Sequence, residues 1–247
     1  MITSLLGIVL VMASGCVANN YLDRKIDSKM LRTKNRVLVT GIITPLRALF
    51  FATVLGLAGF IMLAVFTNLL TVAAGVLALI DYVFLYGISK RKTIHSTLVG
   101  SVAGALPPVA GYLAVTDRID GAALMLFVIM VFWQMVHFYA IAIYRRNEYK
   151  SAGLPILSVI KGTRATQNGL LIYTALFTLS VSLLTLLGYT GIIFLIVMMA
   201  GCFYWLKTAR NSEKYLRPEI WAKQIFVNSL KIIIIFDVLL AFNWLLP

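Results

Sequence analysis

Eight apolar stretches, near residues 2–17, 46–66, 69–88, 98–115, 121–144, 167–187, 191–206 and 225–246, constrain the fold more than any motif does. Most are long enough, as helix rising 1.5 Å per residue, to cross ~30 Å of hydrocarbon. Lipid offers the backbone no hydrogen bonds, so helices are the open-chain solution there. Composition agrees. Hydrophobic residues make up 61% of the 247 and charged residues 13%, whereas a soluble domain is nearer half apolar and a quarter charged. A soluble enzyme, a disordered chain and a disulfide scaffold are excluded. The expected fold is all-α, a polytopic transmembrane helical bundle of about eight spans.

The net charge of +13 invites a nucleic-acid reading. The placement of the charge favours topology instead. Nineteen of the 22 Lys and Arg lie in the first, third, fifth and seventh loops, and only Arg118 lies in the others. By the positive-inside rule the basic loops are cytoplasmic and both termini lie outside. The expectation is a multi-pass protein of a bilayer with its chemical side cytoplasmic and no nucleic-acid partner. Cys16 and Cys202 both sit in apolar stretches and suggest neither a disulfide framework nor a zinc site. No basic segment precedes the first stretch, so a cleavable signal is not expected. Ala13-Ser14-Gly15-Cys16 faintly matches a lipoprotein box but reads better as small residues at a helix contact.

The first helix runs into Asn19-Asn20-Tyr21-Leu22-Asp23-Arg24-Lys25-Ile26-Asp27. Asn19, Asp23 and Asp27 are spaced by four, so on a helix they drift only about 40° per step and span about 12 Å. An amide and two carboxylates in a row offer hard oxygen ligands of the kind Mg²⁺ shares with water and substrate phosphate. The basic run Arg32-Thr33-Lys34-Asn35-Arg36 follows closely and can supply cationic donors to the same phosphates. Spacing alone leaves a plainer alternative open, in which Asp23 and Asp27 pair with Arg24, Lys25 or Lys29 at a solvated helix end.

Asn-x-x-x-Asp-x-x-x-Asp at a cytoplasmic helix end resembles the first aspartate motif of the UbiA superfamily of intramembrane prenyltransferases. The string from Ala13 to Asp23, with Asp27 and residues 32–36, is similar to its protoheme IX farnesyltransferase branch. Four further strings agree, in order. They are Tyr86 with Lys90-Arg91, Gly100-Ser101 through Gly104-Ala105-Leu106-Pro107-Pro108, Trp133-Gln134-Met135-Val136-His137-Phe138, and Gly153-Leu154-Pro155-Ile156-Leu157 with Lys161-Gly162. Quinone-type members carry a second Asp-x-x-x-Asp motif in the third cytoplasmic loop. Here that region holds His137, Arg145, Arg146 and a single carboxylate, Glu148, as the heme branch does.

The resemblance implies transfer of a farnesyl group from farnesyl diphosphate to a vinyl group of heme b, giving heme O for terminal oxidases. It implies Asn19, Asp23 and Asp27 as the Mg²⁺ site. Arg32, Lys34, Arg36, Tyr86, Lys90, Arg91, Arg145, Arg146, Glu148 and Lys161 become substrate contacts. Arginines suit heme propionates, and the imidazole of His137 suits iron. From position alone, His137 among Trp133, Phe138 and Tyr139 also reads as a packing residue. His95 is read as incidental. A bacterial inner membrane is implied, with heme-processing or terminal oxidase assembly proteins as further partners.

The chain departs from the family pattern twice. Members carry an extra N-terminal helix entered through a Lys-Pro segment, and nine spans in all. Residues 1–247 are therefore read as one prenyltransferase domain lacking that helix. The usual proline before the motif histidine is Val136. Three other readings are carried: a prenyltransferase for an aromatic quinone precursor, a transporter using Asp81 and Asp237 with a break at Pro107-Pro108, and an inactive truncated homologue.

Overall fold

In a computed structural model, residues 2–212 and 217–243 are described. Among them there is no strand, and eight helices are long and apolar enough to cross a membrane. The eight expected spans are present. The first helix, α1 (Ile2–Asp27), continues well past its apolar stretch, so the Asn19–Asp27 row stands on regular helix. The chain divides into two compact units, residues 1–123 with 147–156, and residues 124–146 with 157–247.

In the first unit, α1 packs along α2 (Pro45–Phe66) through small residues. Ala48, Ala52, Gly56, Gly59 and Leu63 form the buried face of α2. A Cβ on Gly59 would lie 2.9 Å from the Val11 backbone nitrogen, and one on Gly56 would lie 2.9 Å from Ser14 Oγ. Close approach of backbones through small residues is the usual way membrane helices associate. Ser14 Oγ donates to the Ala52 carbonyl at 2.7 Å. Ser14 and Gly15 are thus helix-contact residues, as their size suggests.

The third span, residues 69–92, is not one uniform helix. α3 (Leu69–Ile80) passes through a π turn (Asp81–Leu85) into α4 (Tyr86–Lys92). A π turn takes in one residue more than an α turn, which rotates everything after it by about 100°. The rotation brings Tyr86 and Lys90 into the row that α1 presents. Asp81 stands at the start of this turn, and its Oδ2 accepts the Ala103 N–H of α5 (Ser96–Thr116) at 3.0 Å. Gly100 of α5 lets the Tyr86 ring close in, since a Cβ there would meet it at 2.8 Å. α5 carries Pro107 and Pro108 in its interior without ending. The expected break is absent, because neighbouring helices and lipid-depth packing let a membrane helix tolerate proline.

The second unit holds α6 from residue 124 (α6 is Gly121–Tyr144), α8 (Leu157–Ile160), α9 (Gly162–Leu186), α10 (Ile192–Arg210) and α11 (Pro218–Ala241). Aromatic rings sit within its mostly aliphatic core. Phe177 meets Trp205 edge-on with centroids 5.6 Å apart, and Phe194 meets Phe236 at 5.9 Å. The buried Trp221 indole donates to the Thr208 carbonyl at 2.8 Å. Thr174, Thr178 and Ser182 of α9 return their hydroxyl protons to carbonyls four residues back, so no external partner is needed at that depth. Large apolar side chains such as Leu57, Ile61, Ile196 and Ile234 are exposed, as a lipid-facing surface requires. Between the units in sequence, α7 (Arg146–Ser151) runs mostly within the first.

Candidate active site

Asn19, Asp23 and Asp27 are all buried, at 8%, 8% and 5% exposure, and each bonds a cation brought from elsewhere in the first unit. Lys90 Nζ donates to Asn19 Oδ1 at 2.7 Å and to Asp23 Oδ2. Arg91 donates to Asp23 Oδ1 at 3.0 Å and to the Leu22 carbonyl at 2.9 Å. Arg36 donates to Asp27 Oδ2 at 2.7 Å and to Asn20 Oδ1 at 2.8 Å. Thr33 Oγ1 donates to the Asp27 carbonyl at 2.9 Å, which ties the basic loop back onto the end of α1. Lys90 lies 4.8 Å from the centroid of Tyr86, whose ring stacks on Tyr82 at 5.8 Å.

The local alternative for the two acids is therefore not what the structure shows. Arg24 instead donates to the Tyr21 carbonyl at 2.7 Å and covers the Tyr21 ring. The acids face inward to Arg36, Lys90 and Arg91, because the π turn and the 28–44 loop deliver those cations to the same face. Arg32 and Lys34 are exposed at the flank of this row. Among the described residues no three His, Cys, Asp or Glu side chains converge as a metal cluster. Two carboxylates and an amide still fit Mg²⁺ as a shared site, since the ion keeps several ligands for water and phosphate. Every one of these three side chains already draws a positive group.

A second cluster lies in the second unit. His137 Nδ1 is 2.8 Å from Ser229 Oγ. Its ring stacks on Trp133 with centroids 5.0 Å apart and lies 4.7 Å from Phe226. Arg145 donates through Nε to Tyr144 Oη at 2.7 Å, and Arg146 donates to the Ser158 carbonyl at 2.6 Å. Ser158 Oγ in turn donates to the Ala142 carbonyl at 2.6 Å. Lys161 is exposed before the first turn of α9, and Glu148, in the first unit, is half-buried on α7.

Sequence reasoning missed several members of these clusters. Tyr82 follows the same four-residue rhythm as Tyr86 and Lys90, so its spacing held a signal. Asn20 and Thr33 were adjacent to named residues. Ser229 lies 92 residues from His137 and had no local signal. Gln134 Nε2 and Asn228 Nδ2, neighbours in sequence of His137 and Ser229, are buried with no hydrogen-bond partner among the described residues. An unpaired buried amide is costly, so such atoms are expected where a polar ligand completes the set.

Residues 1–230 match the model of the UbiA prenyltransferase family. The chain belongs to the UbiA prenyltransferase family. A relative named protoheme IX farnesyltransferase, from Edwardsiella ictaluri (strain 93-146), is 44% identical over 244 residues. That alignment covers 98% of this chain and 82% of the relative. The fold matches the apo structure of a UbiA homologue from Aeropyrum pernix K1. The TM-score is 0.76 and the identity 17%, over 96% of this chain and 88% of that one. It also matches a UbiA homologue from Archaeoglobus fulgidus bound to GPP and Mg²⁺. Here the TM-score is 0.69 and the identity 16%, over 97% of this chain and 87% of that one. As a family member with eight spanning helices, the chain is a multi-pass membrane prenyltransferase.

Proposed function

We propose that this chain is a protoheme IX farnesyltransferase, which joins the farnesyl group of farnesyl diphosphate to a vinyl group of heme b and so makes heme O. One observation carries the reading. Relatives of that name align at 44% identity over 98% of the chain. The presence of His137, Arg145 and Arg146 where quinone-type members have a second acid pair points the same way.

Asn19, Asp23 and Asp27 would hold Mg²⁺, as the bound state of the Archaeoglobus relative suggests by analogy. When bound, the ion neutralises and polarises the diphosphate. Lys90, Arg91 and Arg36 donate to the diphosphate oxygens, and their charge matters most as negative charge grows on the leaving group. Arg32 and Lys34 draw the diphosphate in from the flank, and Tyr86 shapes the wall beside Lys90. The C1–O bond of farnesyl diphosphate breaks with its electron pair leaving on the diphosphate. The allylic cation adds to the vinyl group, and water captures the resulting cation, releasing a proton. Apolar helices keep water from the first cation until then. On the acceptor side, His137 meets the heme iron, Arg145 and Arg146 receive the propionates, and Glu148 and Lys161 are further substrate contacts.

We place the basic loops on the cytoplasmic side of a bacterial inner membrane, supported by the alternation of Lys and Arg between loops. We also treat residues 1–247 as one catalytic domain, since the family match runs through both units.

Membranes containing the chain, supplied with Mg²⁺, farnesyl diphosphate and equal amounts of heme b and a hydroxybenzoate, test the reading. Mass spectrometry should find heme O. A prenylated benzoate with heme b unchanged would overturn it.

A further inference from the structure

Ser229 donates its hydroxyl proton in a way that decides which nitrogen of His137 carries hydrogen. Its Oγ is 2.6 Å from the Phe226 carbonyl and 2.8 Å from His137 Nδ1. A hydroxyl has one proton, and a carbonyl oxygen has none to give. If Ser229 donated to the imidazole, two lone pairs would face each other at 2.6 Å. The proton therefore points to Phe226, and the second contact must draw its hydrogen from the ring. Nδ1 is the N–H, and Nε2 holds the lone pair.

The surroundings fix the ring as well as the tautomer. Trp133 Nε1 donates to the Ser229 carbonyl at 2.8 Å, which pins α11 to α6 at this level. Trp133 and Phe226 flank the imidazole, and Phe138 meets it edge-on at 5.3 Å. Among the described residues no hydrogen bond to Nε2 is seen, and His137 is half-buried. An imidazole that donates through one nitrogen to a fixed acceptor presents the other as a stronger, aimed ligand.

We infer that Ser229 is a positioning residue, which holds His137 as the Nδ1–H tautomer and aims Nε2 at the iron of the heme substrate. The inference rests on the reading above that His137 meets heme.

The test titrates the full chain in detergent with ferric heme b. The visible spectrum reports ligation, and Mg²⁺-dependent binding of farnesyl diphosphate to the same sample reports folding. Ser229→Ala should weaken heme binding by about 10–100-fold and shift the spectrum, with diphosphate binding intact. Ser229→Thr, which keeps the hydroxyl, should restore both. A wild-type heme affinity and spectrum in Ser229→Ala would overturn the inference. So would loss of diphosphate binding in Ser229→Ala without rescue by threonine, which marks a structural role. His137→Ala separates the two claims. Unchanged heme binding in His137→Ala removes the iron-ligand reading itself. Lost binding in His137→Ala beside a normal Ser229→Ala removes only the role of Ser229.

Discussion

Asp23→Asn lowers heme O formation by about 10²–10³-fold, while heme b binding stays near normal. Asp23 is the most heavily used of the three acids and amides. It bonds both Lys90 and Arg91, one on each carboxylate oxygen. The substitution keeps the shape and one oxygen but removes the charge that a metal-bridged diphosphate requires. Alanine at the same place would be a poorer test. It would leave Lys90, itself 6% exposed, with no side-chain oxygen at position 23 to accept its hydrogen bond, which asparagine still offers. Removing one partner of a buried ion pair costs about 3–5 kcal/mol, and an unstable protein would imitate an inactive one. Product is measured by mass in membranes carrying matched amounts of the two proteins.

Lys90→Met produces a loss of similar size, about 10²–10³-fold in kcat/KM for farnesyl diphosphate. Lys90 reaches two members of the row at once and lies beside the Tyr86 ring. Methionine keeps most of the stem and drops the charge. If Asp23 and Lys90 act on one diphosphate, as proposed, the double variant Asp23→Asn with Lys90→Met should fall well short of the product of the two losses. Fully multiplicative losses would mean that the two residues serve separate steps. Steady-state kinetics on the three variants settle this.

Much of this account was legible in the residues, and the illegible part has a physical cause. Spans show in sequence because burial in lipid requires some twenty apolar residues in succession. The Asn19–Asp23–Asp27 row shows because neighbours on one helix face repeat every four residues. What pairs with that row does not show. Lys90 is 71 residues from Asn19, and its place depends on the π turn at Asp81–Leu85. No composition rule marks a π turn. Asp81 was legible only as an intramembrane acid. Its carboxylate accepts the Ala103 N–H, and Tyr82 stacks on Tyr86. Asp237 is exposed on α11, and Asn243 donates to the Tyr189 carbonyl and accepts from Gly191. Ser229 belongs with these cases, since helix-to-helix contacts across 92 residues are set by packing and not by spacing.

Binding of a non-cleavable farnesyl diphosphate analogue, with and without Mg²⁺, tests the central claim most directly, on the unaltered chain and on Asp23→Asn and Asp27→Asn. The account predicts tight binding only when Mg²⁺ is present, and loss of that dependence in both variants. Equal affinity in all three proteins, indifferent to chelator, would contradict it.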